Sequence, residues 1–387
     1  MIINSLLDSD YYKFTMAQFV FNRFPDTEAE YEFICRTPNI DLSIYSKEIH
    51  KEIENLCGLR FTQEELDYLK SLKIFHITFI DFLKNFKFNI NSIRFNKNNG
   101  FGFTVKGSWL NTILFETPLL AIISGIYCKK KIDGFMIWQY LATEGENTLS
   151  NNISLIKKSD VRFADFGTRR RFSREWHNAV IDSINFESPN NFIGTSNVLF
   201  AKKYNLKPIG TMAHELLQAG QVLSPFIKGF QRYMLDYWAR EYPYDLRIAL
   251  TDVLTTDCFL EDFNGDLTVL YKGLRQDSGD PMEWGEKIIR HYESYKIDPT
   301  TKTAIFSDGL TFNKMIEINN HFKGRLNCIF GIGTNLTNDV GMKPLNIVIK
   351  MTECNGKPVA KISDSPGKSI CKDKKYLREL KKEFGIE

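Results

Sequence analysis

Several things are missing from this sequence, and each absence excludes something. The seven cysteines, Cys35, Cys57, Cys128, Cys258, Cys328, Cys354 and Cys371, form no C-x-x-C pair and are odd in number. A disulfide framework or a cysteine zinc site is therefore a poor reading, and free buried thiols in a reducing, cytoplasmic compartment a better one. No apolar run reaches the roughly 20 residues needed to cross a bilayer. The opening MIINSLLDSDYYKF lacks the basic-then-apolar pattern of a secretion signal. An excess of one charge is also missing: 50 basic residues face 47 acidic ones, a net charge of +3. Nothing global points to a nucleic-acid or membrane partner. The P-loop and the dinucleotide fingerprint are absent, as are internal repeats and low-complexity stretches.

What is present is ordinary for a globular chain. Of 387 residues, 43% are hydrophobic and 25% charged, enough for two domains with real cores. The first third reads as mixed α and β. Ile49, Ile53 and Leu56 lie at helical spacing before Gly58. Thr62 and Glu65 form a capping box ahead of Leu66, Leu69 and Leu72. After Asn98-Asn99-Gly100, the alternation of Phe101, Phe103 and Val105 predicts a strand. Leu110 to Cys128 reads as a buried helix, in spite of Pro118 and Gly125.

From about residue 160 the pattern changes. Short apolar runs recur, each ending in small, acidic or glycine residues: VRFADFG (161–167), NFIGTSN (191–197), PIGTM (208–212), IALTDV (248–253), YKGLRQDSGD (271–280), AIFSDG (304–309) and CIFGIG (328–333). Helical stretches such as 213–221 and 311–322 separate them. This alternation predicts an irregular, incomplete α/β barrel. The segment 346–364 reads as a hairpin turning at Asn355-Gly356 and packing back on the N-terminal part. The expected layout is an α+β N-terminal domain (1–130), a barrel-like catalytic domain (131–344) and a C-terminal segment (345–387) completing the first domain. The tail from Lys372 reads as a surface helix.

In a parallel α/β fold the chemistry gathers at the carboxyl ends of the strands. Those ends carry Arg169, Arg170, Arg171 and Arg275, the carboxylates Asp165, Asp252, Asp257, Asp277, Asp280 and Asp308, and one histidine, His214. The Gly331-x-Gly333 turn with Thr334 could expose N–H groups to a phosphate, though such a turn is more often only a turn. Asp277 and Asp280 beside Ser278-Gly279 could hold Mg²⁺ or ribose hydroxyls, or simply cap the next helix. Phe166 beside three arginines suits an anion pocket with a ring for stacking. At a helix N-terminus, His214 would stay neutral and could accept a phosphoryl group, or serve only as a cap.

Taken together and in order, DSDYYKFTM (8–16), FGTRR (166–170), GTSNV (194–198), GTMAHE (210–215), TDVLTTD (251–257), RQDSGD (275–280), SDGL (307–310) and GIGT (331–334) resemble the nicotinate phosphoribosyltransferase family over nearly the whole chain. The resemblance implies transfer of phosphoribose from phosphoribosyl diphosphate to nicotinate, with Mg²⁺ on the diphosphate and ATP hydrolysis coupled through a phosphohistidine. It implies a homodimer with active sites between the N-terminal domain of one chain and the barrel of the other. Carried over, His214 matches the phosphorylated histidine, and Tyr12 and Phe166 the aromatics about the pyridine ring. Thr211, Arg275 and Arg169 match polar residues near the substrates. Asp257 and Asp277 match acidic residues on the metal and ribose side. Gly309, Gly333 and Thr334 match the 5-phosphate pocket. Ser196 stands where the related nicotinamide-using enzyme has an aspartate, which implies a preference for the carboxylate base. Three rivals are the same chemistry on nicotinamide, a barrel aldolase or epimerase using Lys272, and a non-catalytic sensor of the pathway.

Overall fold

A computed structural model describes residues 1–96, 101–132, 135–365 and 369–386, with the side chains of 135–138 left aside. The Asn98-Asn99-Gly100 turn therefore lies outside the described residues. In chain order the strands are β1 (Glu28–Cys35), β2 (Ile93–Phe95), β3 (Phe103–Ser108), β4 (Phe163–Asp165), β5 (Phe192–Thr195), β6 (Ile248–Leu250), β7 (Gly273–Gln276), β8 (Thr303–Phe306), β9 (Asn327–Ile332), β10 (Ile347–Cys354) and β11 (Lys357–Pro358).

Two sheets result. One is antiparallel, in the order β11-β10-β1-β3-β2, so the C-terminal hairpin extends the N-terminal sheet. Asn355 and Gly356 both have positive φ, 47° and 69°, the backbone a two-residue hairpin turn demands. The other sheet is parallel, in the order β5-β4-β9-β8-β7-β6. No ladder joins β5 to β6 among the described residues. Residues 208–212, expected as a strand, make only a bridge at Thr195–Pro208. They nonetheless span the gap, because Ile209 N–H donates to the Thr195 carbonyl at 2.9 Å and the Thr211 hydroxyl to the Ile248 carbonyl at 3.0 Å.

Several local readings hold. The helix Ser46–Gly58 buries Ile49, Ile53 and Leu56, and the Thr62–Glu65 capping box is formed in both directions. Leu110 to Cys128 is not one helix: it runs as a short helix, a 3-10 turn (Ile113–Phe115) and then Glu116–Lys131. Pro118 falls in the first turn of that last helix, where its missing N–H costs nothing. By length and composition, Trp109–Lys131 could cross a membrane, but its apolar window is 94% buried inside the protein. Its last helix, Glu116–Lys131, packs against the 3-10 turn Thr168–Arg170 after β4 and against β10.

The N-terminus decides the position of the site. Tyr11 N–H donates to the Ser196 carbonyl at 2.7 Å, and Val198 N–H to the Ser9 carbonyl at 3.0 Å. Residues 9–11 are thereby laced to the chain just beyond β5, and the helix Tyr11–Arg23 starts at the carboxyl end of the parallel sheet.

Candidate active site

Each parallel strand delivers a polar or aromatic group to one end of the sheet: Phe166 after β4, Ser196 after β5, Asp252 after β6, Asp277 after β7, Asp308 after β8 and, past Gly333, Thr334 after β9. A cavity of about 480 Å³ opens there. Its walls include Tyr12, Phe166, Arg169, Ser196, His214, Arg275, Asp277, Gly309, Gly333 and Thr334. Tyr12 is thus in the wall of its own chain's cavity. The lacing of residues 9–11 to the end of β5 brings it there within one chain.

At the first residue of helix His214–Leu223, His214 sits with Nε2 2.9 Å from Asp252 Oδ1 and 3.5 Å from Asp277 Oδ2. Burial, helped by the Lys361 ammonium and opposed by Asp252, lowers its pKa to about 4, so the imidazole is neutral at pH 7. Burial alone would push Asp252 up. His214 and Lys361 outweigh it and hold the carboxyl well below the usual range. Lys361 Nζ lies 2.8 Å from Asp252 Oδ2, and the Ser278 hydroxyl donates to the same oxygen at 2.6 Å. Asp277 accepts from Ser307 at 3.0 Å, and its side chain is 30% exposed. Asp280 takes the plainer of its two readings: it caps the helix Pro281–Ser294.

The three consecutive arginines divide. Arg171 is fully buried in a two-pronged ion pair with Asp8, at 2.7 and 2.6 Å. Arg170 lines the cavity. Arg169 lines it too, held 3.3 Å from Glu116 and 3.7 Å from Asp10. Asp10 accepts the Ser196 hydroxyl at 2.8 Å, and burial raises its pKa in spite of Arg169. The carboxylate beside Ser196 was not foreseen.

Two glycines have clear physical reasons. A Cβ on Gly331 would stand 2.4 Å from the Phe166 ring, so only glycine lets that ring lie flat on β9. Gly309 has φ +58°, the left-handed backbone of a tight turn.

Two expected residues lie elsewhere. Asp257 is on the exposed face of helix Thr256–Asp262 and pairs with Lys287 at 2.7 Å. It is not in the cavity wall, and Asp252, five residues earlier, takes the place beside His214. Thr211 also lies outside the wall, its hydroxyl spent on the Ile248 carbonyl. Lys272 donates to the Tyr244 carbonyl rather than facing the cavity. Sequence reading missed Arg36, Lys350 and Lys361, which the antiparallel sheet and the stretch after it bring to the wall. Burial, with Lys361 and Arg169 nearby, lowers the Lys350 pKa to about 8 against the pull of Glu116. Two buried atoms in wall residues, Tyr12 Oη and Arg275 Nε, have no hydrogen-bond partner, as befits groups that meet a ligand.

Six basic residues, Arg36, Arg169, Arg170, Arg275, Lys350 and Lys361, share the cavity wall with five acidic ones, Asp10, Glu116, Glu215, Asp277 and Asp308, with two aromatic rings, Tyr12 and Phe166, and a neutral histidine. Fold and site together define an α/β enzyme for a phosphorylated, polyanionic substrate and a flat ring. A sequence model described as the nicotinate phosphoribosyltransferase (NAPRTase) family matches residues 161–387, and one for its N-terminal domain matches residues 7–124. Proteins described as nicotinate phosphoribosyltransferases from Xylella fastidiosa and Burkholderia mallei are each 48% identical, covering 100% of this chain and 98% of theirs. Crystal structures described as nicotinate phosphoribosyltransferases from Vibrio cholerae and Porphyromonas gingivalis superpose with TM-scores of 0.94 and 0.93, at 39% and 34% identity. They cover all of this chain and 94% and 100% of theirs. The chain belongs to the nicotinate phosphoribosyltransferase family.

Proposed function

We propose that this protein transfers the phosphoribosyl group of phosphoribosyl diphosphate to the ring nitrogen of nicotinate, releasing nicotinate mononucleotide and diphosphate. The observation that carries the reading is one cavity holding the Tyr12 and Phe166 rings, the His214–Asp252 pair and the glycine turns after β8 and β9. Tyr12 and Phe166 stack on the pyridine ring, and Arg169 meets its carboxylate. Orientation of the nitrogen against the anomeric carbon replaces a search. Arg275, Lys350, Lys361 and Arg36 take the negative charge that builds on the departing diphosphate. Gly309, Gly333 and Thr334 suit the 5-phosphate, since glycine turns present N–H groups to an anion.

His214, Asp252 and Asp277 place candidate ligand atoms within 4.8 Å of one another. Asp252 is already engaged by His214, Ser278 and Lys361, whereas Asp277 turns a partly exposed carboxylate to the cavity. Asp277 therefore fits Mg²⁺ shared with substrate phosphates, which is how that ion is usually held. Bound there, Mg²⁺ would neutralise diphosphate charge. Asp257 does not fit this role.

ATP coupling is part of the proposal. With Asp252 keeping the proton on Nε2, the Nδ1 lone pair of neutral His214 can attack the terminal phosphoryl group of ATP, forming an N–P bond and releasing ADP. Asp252 then stabilises the charge on the ring. Replacing His214 with Ala should abolish coupled ATP hydrolysis while leaving slow transfer; a variant that still shows full ATP stimulation excludes the phosphohistidine.

One observation favours a second reading, the same chemistry on nicotinamide. Asp10 could accept a hydrogen bond from a carboxamide. Arg169, held between Asp10 and Glu116, weighs toward the carboxylate base. The homodimer that the resemblance implies is part of the proposal; Tyr12 in the wall of its own chain's cavity favours a site that each chain builds by itself, and subunit mixing decides between that and a site shared between chains. The free state of all seven cysteines suits a cytoplasmic enzyme.

A further inference from the structure

A group of buried charges reaches from the cavity wall, where Glu116, Glu215 and Arg169 stand, to a cation outside that wall, Lys13, to which the chemistry above gives no part. Lys13 is wholly buried. Its ammonium lies 2.7 Å from Glu116 Oε2 and pairs with Glu215 Oε1. The Tyr31 hydroxyl donates to the other oxygen of Glu215, and the other oxygen of Glu116 is 3.3 Å from Arg169. The ammonium also stands 5.6 Å from the centre of the Tyr12 ring.

Adjacency gives this cluster its meaning. Lys13 follows Tyr12, Glu215 follows His214, and Glu116 holds Arg169. Three elements distant in the chain, the helices beginning at Tyr11, Glu116 and His214, are pinned to one cation. A buried ion pair is weak evidence for stability, since well-packed apolar side chains often serve as well or better. It does fix geometry, because each carboxylate has one place to go and the ring beside the cation has a preferred contact.

We infer that Lys13 is a positioning residue: its ammonium sets the Tyr12 ring, Arg169 and the start of the His214 helix in one fixed relation, so that alignment of the base and alignment of the histidine are achieved together. The inference rests on the proposed reaction and adds to it a residue that touches no substrate. The effect should fall on the nicotinate side. Among the described residues, no hydrogen bond or ion pair joins the glycine turns after β8 and β9 to Lys13, Glu116 or Glu215.

The test separates geometry from folding. Lys13→Met alone leaves two buried carboxylates short of a cation, a change that destabilises the fold whatever the role of the cluster. Lys13→Met with Glu215→Gln removes one charge of each sign and leaves Glu116 paired with Arg169. This double variant is expected to melt close to wild type. Its kcat/KM for nicotinate should fall about a hundredfold, the scale of a misplacement of about 1 Å. Its KM for phosphoribosyl diphosphate should stay near the wild-type value. Its ATP hydrolysis should become uncoupled from transfer. A double variant that folds and keeps wild-type kcat/KM for nicotinate overturns the inference. So does one that loses both substrates equally, or one that no longer folds, since either assigns the cluster to stability. A wild type unable to use nicotinate would instead sink the reaction assignment itself.

Discussion

Adding one methyl group at Gly331 should damage this enzyme in a specific way. The new Cβ would lie 2.4 Å from two carbons of the Phe166 ring, and ordinary contact begins at 3.4 Å. The ring must therefore move by about 1 Å. It cannot take that movement up locally for free, because Phe166 N–H is bonded to the Ile332 carbonyl at 2.8 Å and the Gly167 N–H to Asp165. Overpacking of this kind costs about 1–3 kcal/mol in stability. If Phe166 is one face of the base pocket, a shift of about 1 Å can cost about a hundredfold in rate, or roughly 2.7 kcal/mol of transition-state stabilisation. Gly331→Ala should lower kcat/KM for nicotinate by tenfold to about a hundredfold, with little change in the KM for phosphoribosyl diphosphate. Gly309→Ala is the control. It meets nothing within 4 Å but holds φ +58°, so it should strain the β8 turn and raise the KM for phosphoribosyl diphosphate instead. Steady-state kinetics for both substrates, with thermal melts of all three proteins, decide the matter. A folded Gly331→Ala variant with wild-type efficiency for nicotinate would remove Phe166 from the base pocket.

Other consequences are shorter. His214 has its pKa lowered to about 4, so its reactive neutral form dominates above that value; ATP-coupled turnover should persist on acidification to about pH 5, and loss of coupling near pH 6.5 would contradict the assigned state. Lys350 titrates near 8, so its charge disappears as pH rises through that value. The KM for phosphoribosyl diphosphate should then climb, and Lys350→Met should flatten the profile. Breaking the buried Asp8–Arg171 pair with Arg171→Met leaves an uncompensated carboxylate and should cost roughly 3–5 kcal/mol in denaturant unfolding. If each chain builds its own site, as Tyr12 in the wall of its own chain's cavity favours, mixing Tyr12→Ala and His214→Ala chains should restore no activity; recovery after confirmed subunit exchange would show a shared site. Ser196→Asp places a second carboxylate beside Asp10 and should harm nicotinate use far more than nicotinamide use, read as the ratio of the two efficiencies.

The sequence disclosed the strand ends because their signal is local. An apolar run ending in Asp or Gly marks where a parallel strand stops, and Phe166 and Asp277 follow from that; Arg275 lies within β7 itself, and His214 follows 208–212, which only bridges the sheet. The hairpin at Asn355-Gly356 and the box at Thr62–Glu65 were legible for the same reason. What stayed hidden depends on register and on contacts across the chain. Asp252 and Asp257 are equally acidic in TDVLTTD; only the start of the helix at Thr256 turns one inward and the other to Lys287. Lys350 and Lys361 look like ordinary residues of a hairpin until β10 pairs with β1 and carries Lys350 over the cavity, and the chain after β11 brings Lys361 to the Asp252 carboxylate. The arginines at 169, 170 and 171 read as one basic run, yet their side chains part company in the fold. Residues 208–212 have the composition of a strand, but they cross the gap between β5 and β6 without pairing fully with either.

The most direct test of the account is product formation by the purified protein. Nicotinate or nicotinamide would be supplied with phosphoribosyl diphosphate and Mg²⁺, with and without ATP, and the mononucleotide products separated and quantified. The account predicts nicotinate mononucleotide and diphosphate in equal amounts, strong stimulation by ATP that depends on His214, and little product from nicotinamide. A protein that forms nicotinamide mononucleotide in preference, or forms neither product while folded, would contradict it.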